Sequence, residues 1–301
     1  MRTLVFSLGP NMRTLIVGAT GLVGSYLISH LDNHEVVGMA RNRPDWYPLE
    51  REFVGADVFT PNFAWDDFLS RFDRVIFLAF PTHLDRLEVQ APELNSKLID
   101  AYDQFSEAAF KHSVPVLFFS SDAVLWGLDF VERGVDAKPA RLLNHYAQLK
   151  WTCEKLTLAK NKKSTVLRCT PVGIHAFDST YGFVGSILEG SKRREVFGFK
   201  DTLFTPVSIQ TLLRFCEQWL DSKFEKGMVD GQIIHIGSTD CLSKFEFLSP
   251  LVKEVGGTLQ SGLASDHGFI AKRNFDQRII ASQNLEINKL QRKKLGCKQI
   301  L

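Results

Sequence analysis

The sequence has almost no net charge: its 36 lysines and arginines are offset by 34 acids, leaving a formal +2 over 301 residues. A surface this balanced has no field with which to gather nucleic acid or an anionic membrane. No apolar run approaches the ~20 residues that a bilayer-spanning helix requires. Cys153, Cys169, Cys216, Cys241 and Cys297 include no C-x-x-C pair, which argues against a disulfide framework and fits the reduced thiols of a cytoplasmic protein. No His/Asp/Glu cluster has metal-ligand spacing, so no metal is expected. Repeats are absent apart from Met1-Arg-Thr-Leu4, which recurs as Met12-Arg-Thr-Leu15. The apolar core before Met12 is too short for a signal peptide, and residues 1–11 are read as a dispensable extension.

What remains is an ordinary globular composition, 45% hydrophobic and 23% charged, with a strong alternation of strand-like and helix-like segments. Strands are expected at Leu15–Val17, Glu35–Ala40, Phe53–Asp57, Arg74–Phe80, Val114–Ser120 and Ser164–Cys169. Helices are expected at Val23–Leu31, Trp65–Phe72, Asn95–Lys111 and His145–Leu158. Repeated β-α units with such apolar strands imply a parallel sheet covered on both faces. Beyond Thr170 the rhythm becomes irregular. A helix is expected over Thr205–Leu220, a strand at Gln232–Ile236, a helix over Ser243–Val255 and a last helical turn or two at Leu285–Leu290. The expected fold is therefore a Rossmann-type α/β doubly wound parallel sheet with a smaller C-terminal lobe. Residues 12–170 form its NAD(P)-binding domain, and residues 171–301 form mainly a substrate lobe, with some segments returning to the sheet.

Two motifs carry chemistry. Gly18-Ala-Thr20-Gly21-Leu22-Val23-Gly24 lies between a strand and a helix, where glycine lets the backbone approach a pyrophosphate and the helix N-terminus offers N–H groups to the anion. Tyr146 and Lys150 lie one helical turn apart on a later helix. A tyrosine of reference pKa ~10 is a poor proton donor at neutral pH, and a lysine's charge nearby would lower that value. Apolar Val116–Ser120 runs into Ser121, which places a hydroxyl at a strand's C-terminal end, within reach of a reacting oxygen.

With these motifs in order, the chain resembles the extended short-chain dehydrogenase/reductases, and among them the dTDP-4-dehydrorhamnose reductases. Ser120-Ser-Asp-Ala-Val-Leu-Trp-Gly127 resembles their S-T-D-Y-V-F-D-G, and Pro139 to Lys150 their P-x-N-x-Y-G-x-(S/T)-K. Val166-Leu-Arg168, Thr205-Pro-Val-Ser-Ile209 and Gly231–Gly237 followed by Leu242–Phe247 match further segments. Asn284–Leu290 resembles the family's terminal L-D-T-S-K-L. Ala123, Trp126, Ala147 and Leu149 depart from the pattern. The resemblance implies Ser121, Tyr146 and Lys150 as the catalytic set. It also implies Asp57 and Val58 beside the adenine, Ala79 and Phe80 on the nicotinamide side with Pro171 completing the cofactor site, and Asn144 near the substrate.

The cofactor is expected to be NADP(H) rather than NAD(H), because the end of the second strand offers Arg41 in place of an acid. Phe183 and Arg194, with Phe177, Tyr181, Lys192 and Arg193 nearby, offer the stacking surfaces and cations that a nucleotide sugar needs. His145 and His175 read as structural. The function implied is NADP(H)-dependent reduction of a 4-keto nucleotide sugar. Two alternatives stay open: an epimerase or dehydratase with tightly bound NAD(P), and a non-catalytic binding subunit, since the regulatory subunit of methionine adenosyltransferase resembles the same group. The resemblance also implies a homodimer through the two long helices. Leu98, Tyr102, Phe105 and Ala109 form an apolar stripe that either such an interface or the sheet would cover.

Overall fold

The computed structural model describes residues 12–60, 63–90, 93–222, 229–238 and 241–282. The segments 1–11, Asn284–Leu290 and Cys297 named above lie outside these residues. Along the first half run β1 (Arg13–Val17), α1 (Leu22–His30), β2 (Glu35–Ala40), β3 (Glu52–Gly55), α2 (Trp65–Leu69), β4 (Arg74–Phe77), α3 (Leu84–Gln90), α4 (Glu93–Lys111), β5 (Val116–Ser120), α5 (His145–Lys160) and β6 (Thr165–Cys169). The second half holds β7 (Pro171–Val172), α6 (Gly182–Arg193), β8 (Val196–Phe199), β9 (Leu203–Phe204), β10 (Val207–Ser208), α7 (Ile209–Leu220), β11 (Ile233–Ile236), β12 (Leu242–Ser243), α8 (Lys244–Glu254), β13 (Leu259–Gly262) and β14 (Asp276–Gln277).

Seven strands form one sheet in the order β11-β6-β5-β4-β1-β2-β3, with every pairing parallel. The strand order reverses between β1 and β4, the kind of switch point where open α/β sheets bind ligands at the strands' carboxyl ends. Each face carries its own core. Leu27 and Ile28 of α1 pack with Leu212, Phe215 and Trp219 of α7 on one side. Trp65 of α2, Tyr102 and Phe105 of α4 and Leu149 and Cys153 of α5 pack on the other. The stripe Leu98, Tyr102, Phe105 and Ala109 is buried in this second core, with Phe105 edge-tilted on Phe77 at 4.7 Å. That stripe therefore faces the sheet.

Several expected boundaries move for local reasons. Thr205–Ser208 stays extended, and α7 begins only at Ile209, because the Ser208 hydroxyl accepts from the Thr211 N–H at 3.2 Å and caps the helix there. β4 ends at Phe77, leaving Leu78 to Phe80 free to cross the glycine turn. Helices α3 and α6 form where no helix was expected. The second half divides its elements: α7 and β11 rejoin the main sheet, whereas α6 and α8 pack through Val184, Leu188, Phe247 and Leu251 into a separate cluster. Among the described residues no helix is long and apolar enough to cross a membrane.

A buried polar network ties the sheet to α5. Arg168 of β6 donates to Glu154 through Nε at 2.9 Å and Nη2 at 2.7 Å, with both side chains almost wholly buried. Ser120 of β5 donates to the same carboxylate, and His235 of β11 lies 3.3 Å from Arg168 Nη1. Burial, with the Arg168 charge beside it, pushes His235 down to about 3, so it stays a neutral partner. Breaking such a pair from one side strands a charge without solvent. Arg168→Met is expected to lower stability by about 3–5 kcal/mol, read as a shift of the urea unfolding midpoint. Arg168→Met with Glu154→Leu should recover much of that loss.

Candidate active site

The glycine turn follows β1 at the carboxyl edge of the sheet. Gly18 has φ +91°, and a Cβ there would meet the Ala79 nitrogen at 2.8 Å; a Cβ on Gly24 would lie 2.2 Å from the Gly18 carbonyl oxygen. Both glycines are thus demanded by the fold itself. Gly21 is different, since its Cβ would meet nothing closer than 3.5 Å. Gly21 is also the N-cap of α1, with no side-chain cap and no acid in the first turn. The N–H groups and dipole end at Leu22 and Val23 are therefore met by no capping side chain and no first-turn carboxylate, the arrangement that suits a phosphate. Bare backbone at Gly21 and an unshielded helix end make this turn fit a dinucleotide pyrophosphate.

Aromatic rings close over the turn. His175 accepts from the Phe177 and Asp178 N–H groups through Nδ1, so its Nε2 carries the hydrogen and donates to the Thr20 carbonyl at 3.3 Å. Trp46, from the loop after β2, stacks on Phe177 at 4.6 Å. His175 is thus structural, as expected, whereas Trp46 gave no signal in the sequence. On the far side of the turn Arg41 is exposed just past β2, Asp57 is exposed past β3, and Val58 is buried. Arg43 is occupied in its own loop, donating to the Pro48 carbonyl at 3.2 Å and lying 5.4 Å above the Tyr47 ring.

Ser121, Tyr146 and Lys150 converge beside this turn. Lys150 is buried on α5, and its ammonium donates to the Phe119 carbonyl at 2.7 Å and lies 3.9 Å from the centre of the Phe80 ring. The Tyr146 ring centre is 5.8 Å from the same ammonium. Burial drives Lys150 down to about 7, against the opposing influence of Cys153, Cys169 and Glu154. Tyr146 is pushed up, first by burial and then by the Asp122 charge, while a hydrogen bond with Ser121 works the other way. The expected lowering of Tyr146 by Lys150 is therefore not what this arrangement produces. Lys150 spends its hydrogen bond on a carbonyl, and burial disfavours its charge.

Asp122 organises the site. Its carboxylate accepts from Ser121 Oγ at 2.8 Å and from Trp126 Nε1 at 2.9 Å, and burial raises its pKa. Ser121 in turn accepts from the Ala123 N–H at 3.2 Å. The residues that depart from the family pattern are explained together. Ala123, Trp126 and Ala147 form one apolar cluster against Tyr146, and Leu149 enters the core of the sheet. They repack the flank of the site and leave its three polar groups in place.

The expected substrate residues are scattered. Asn144 is buried as the N-cap of α5, accepting from Ala147 N–H at 2.8 Å and donating to the Lys272 carbonyl at 2.9 Å, so it braces the site. Phe183 and Arg194 sit at opposite ends of α6, roughly 16 Å apart at 1.5 Å per residue. Lys192 and Arg193 pair with Glu189 on the outside of that helix. Pro171 lies in β7, at the edge where the sheet meets the lobe.

A family model described as the RmlD substrate binding domain matches residues 12–267. The chain belongs to that family. Among solved structures, the fold resembles the NADP complex of a dTDP-4-dehydrorhamnose reductase from Bacillus anthracis, with a TM-score of 0.75 and 16% identity over 91% of this chain and 92% of that one. A hypothetical dTDP-4-dehydrorhamnose reductase from Sulfolobus tokodaii gives 0.74 and 22% over 96% and 100%. A UDP-glucuronic acid 4-epimerase mutant from Bacillus cereus, holding NAD, gives 0.76 and 17% over 96% of both chains. At these identities the likeness is one of fold. Uncharacterized proteins of Mycobacterium tuberculosis and Mycobacterium bovis share 45% identity over 49 residues, which is 16% of this chain but only 6% of theirs.

Lys150 also sets a pH dependence. Its folded pKa lies below its unfolded value, so between about 7 and the reference ~10.4 the unfolded chain binds the extra proton. Without added cofactor, stability should therefore rise with pH through that window, with a slope of up to about 1.4 kcal/mol per pH unit from this group. Lys150→Met should remove this contribution to the slope, leaving the variant more stable than wild type at pH 7. Urea titrations at a series of pH values measure both effects.

Proposed function

We propose that this protein is an NADP(H)-dependent oxidoreductase that reduces a 4-keto nucleotide sugar. The observation that carries this reading is the convergence of Ser121, Tyr146 and Lys150 next to an uncapped glycine turn, in a member of the RmlD substrate-binding family. In this reading residues 12–170 hold the cofactor. The chain from 171 onward, apart from the segments that rejoin the sheet, holds the substrate.

The cofactor, when bound, supplies the hydride. Gly18, Thr20, Gly21, Leu22, Val23 and Gly24 hold its pyrophosphate, and Arg41 takes the 2′-phosphate. Val58 and Asp57 flank the adenine, while Ala79, Phe80 and Pro171 line the nicotinamide side. Ser121 orients the reacting oxygen and Tyr146 gives it a proton. Lys150 reaches the ribose from the same helix face. Reduction is favoured over dehydration because Asp122 already accepts from Ser121 and Trp126, and Ala123 stands next to it instead of a second acid. Ala123, Trp126 and Ala147 pack against Tyr146 without replacing Ser121, Tyr146 or Lys150, and the retention of all three polar groups favours catalysis over a purely binding role.

Purified protein with NADPH and a panel of 4-keto nucleotide sugars should oxidise the cofactor. Tyr146→Phe should lower that rate by about a hundredfold to ten-thousandfold while NADPH still binds. Sugar product formed with no net loss of NADPH would instead assign the epimerase class. Cofactor choice is tested separately. A charge-assisted contact from Arg41 corresponds to about a tenfold to hundredfold preference for NADP(H), which Arg41→Asp should abolish or invert in titrations with both cofactors.

A further inference from the structure

Lys244 is the first residue of α8, directly after the N-cap Ser243, whose capping box with Glu246 holds the helix start. A cation in the first turn of a helix faces the positive end of the dipole, so this position opposes it. Its ammonium lies 5.7 Å from the ring centre of Phe183, the half-exposed aromatic at the start of α6. Among the described residues it has neither a hydrogen bond nor an ion pair.

Two charged groups face it from neighbouring segments, Asp122 on the turn after β5 and Arg273 on the loop before β14. Asp122 offsets part of the Lys244 charge, but its oxygens already accept from Ser121 and Trp126 and none bonds the ammonium. Arg273 is itself committed, donating to Asp85 at 2.8 Å and lying 4.2 Å from the centre of the Phe269 ring. Burial pulls the Lys244 ammonium below its ordinary value, with the Asp122 charge working against it and Arg273 adding to it. A partly buried ammonium with no hydrogen-bond partner is costly, and here a helix dipole and a second cation add to that cost. A cation without a bonded partner thus stands beside Asp122, which binds Ser121 next to Tyr146, and next to an exposed aromatic ring.

We propose that Lys244 is the anion-recognition residue of the substrate site, receiving an oxyanion carried by the sugar end of a nucleotide sugar. The oxyanion is either the glycosyl phosphate or a carboxylate on the ring. The inference rests on the nucleotide-sugar reading above. It assigns the recognition of charge to α8, in place of the basic cluster at the end of α6, where Lys192 and Arg193 already pair with Glu189.

The test is calorimetric titration of NADPH-saturated protein with dTDP-glucose, UDP-glucose and UDP-glucuronate, comparing wild type with Lys244→Met and Lys244→Arg. Lys244→Met should weaken binding about tenfold to a hundredfold, Lys244→Arg should retain most of the affinity, and NADPH binding should be unchanged in both. An equal loss for UDP-glucose and UDP-glucuronate identifies the glycosyl phosphate, whereas a loss confined to UDP-glucuronate identifies the carboxylate. Unchanged sugar binding in Lys244→Met overturns the assignment while leaving the nucleotide-sugar site intact. A fall in Tm of that variant with unchanged binding does the same and makes Lys244 a counter-ion of Asp122. If wild type binds none of the three sugars, the nucleotide-sugar reading itself fails, and the assignment with it.

Discussion

The ion pair between Glu154 and Arg168, sealed away from water, holds the reacting groups in register. Glu154 lies one turn beyond Lys150 on α5, and Arg168 belongs to β6, the strand beside β5. Ser120 binds the same carboxylate and is followed at once by Ser121. A single buried contact therefore sets the height of α5 against the strand that presents the site's hydroxyl. His235 extends the network to β11 and, through its Nδ1 and the Ile280 carbonyl at 3.0 Å, to the returning C-terminal segment. Replacing such a pair with apolar residues is often neutral for stability, so its value here is better understood as positional.

A second constraint acts from the flank. Arg133 is nearly inaccessible, donating to the carbonyls of Leu128 and Arg278, and so joins the turn after β5 to the segment that follows β14. Asn144 binds the Lys272 carbonyl from the start of α5. The segment around β14 is thus fastened at two places to the elements that carry Ser121 and Tyr146, while Phe183 of α6 and Lys244 of α8 meet each other. Phe183 and Lys244 come together although they lie more than sixty positions apart in the chain.

The electrostatics of the site follow from burial more than from charge pairing. Lys150 and Lys244 are pulled down, and Asp122 and Tyr146 are pushed up, in each case chiefly by burial. Each group is thereby biased toward its neutral form. In such a setting an incoming anion or a developing oxyanion meets little competition from water, and a small change in distance has a large electrostatic effect.

The sequence by itself determined the parallel sheet, the glycine turn and the helix that carries Tyr146 and Lys150. These features are local: apolar strands of a given length, glycines between strand and helix, and a one-turn spacing each have a short-range physical cause. β2 was legible to the residue, and α5 to within two at its C-terminal end. Tertiary structure decided which polar groups meet. Asn144, expected near the substrate, caps α5 through the Ala147 N–H, and only the fold brings its amide to the Lys272 carbonyl on a distant loop. Lys244 looked like one residue of a helix start, and only packing set it opposite Asp122 and Phe183. Tyr146 and Lys150 could be named from their spacing, but the direction of their pKa shifts could not. Spacing reports which groups are neighbours along one helix, whereas desolvation depends on every segment that closes over them.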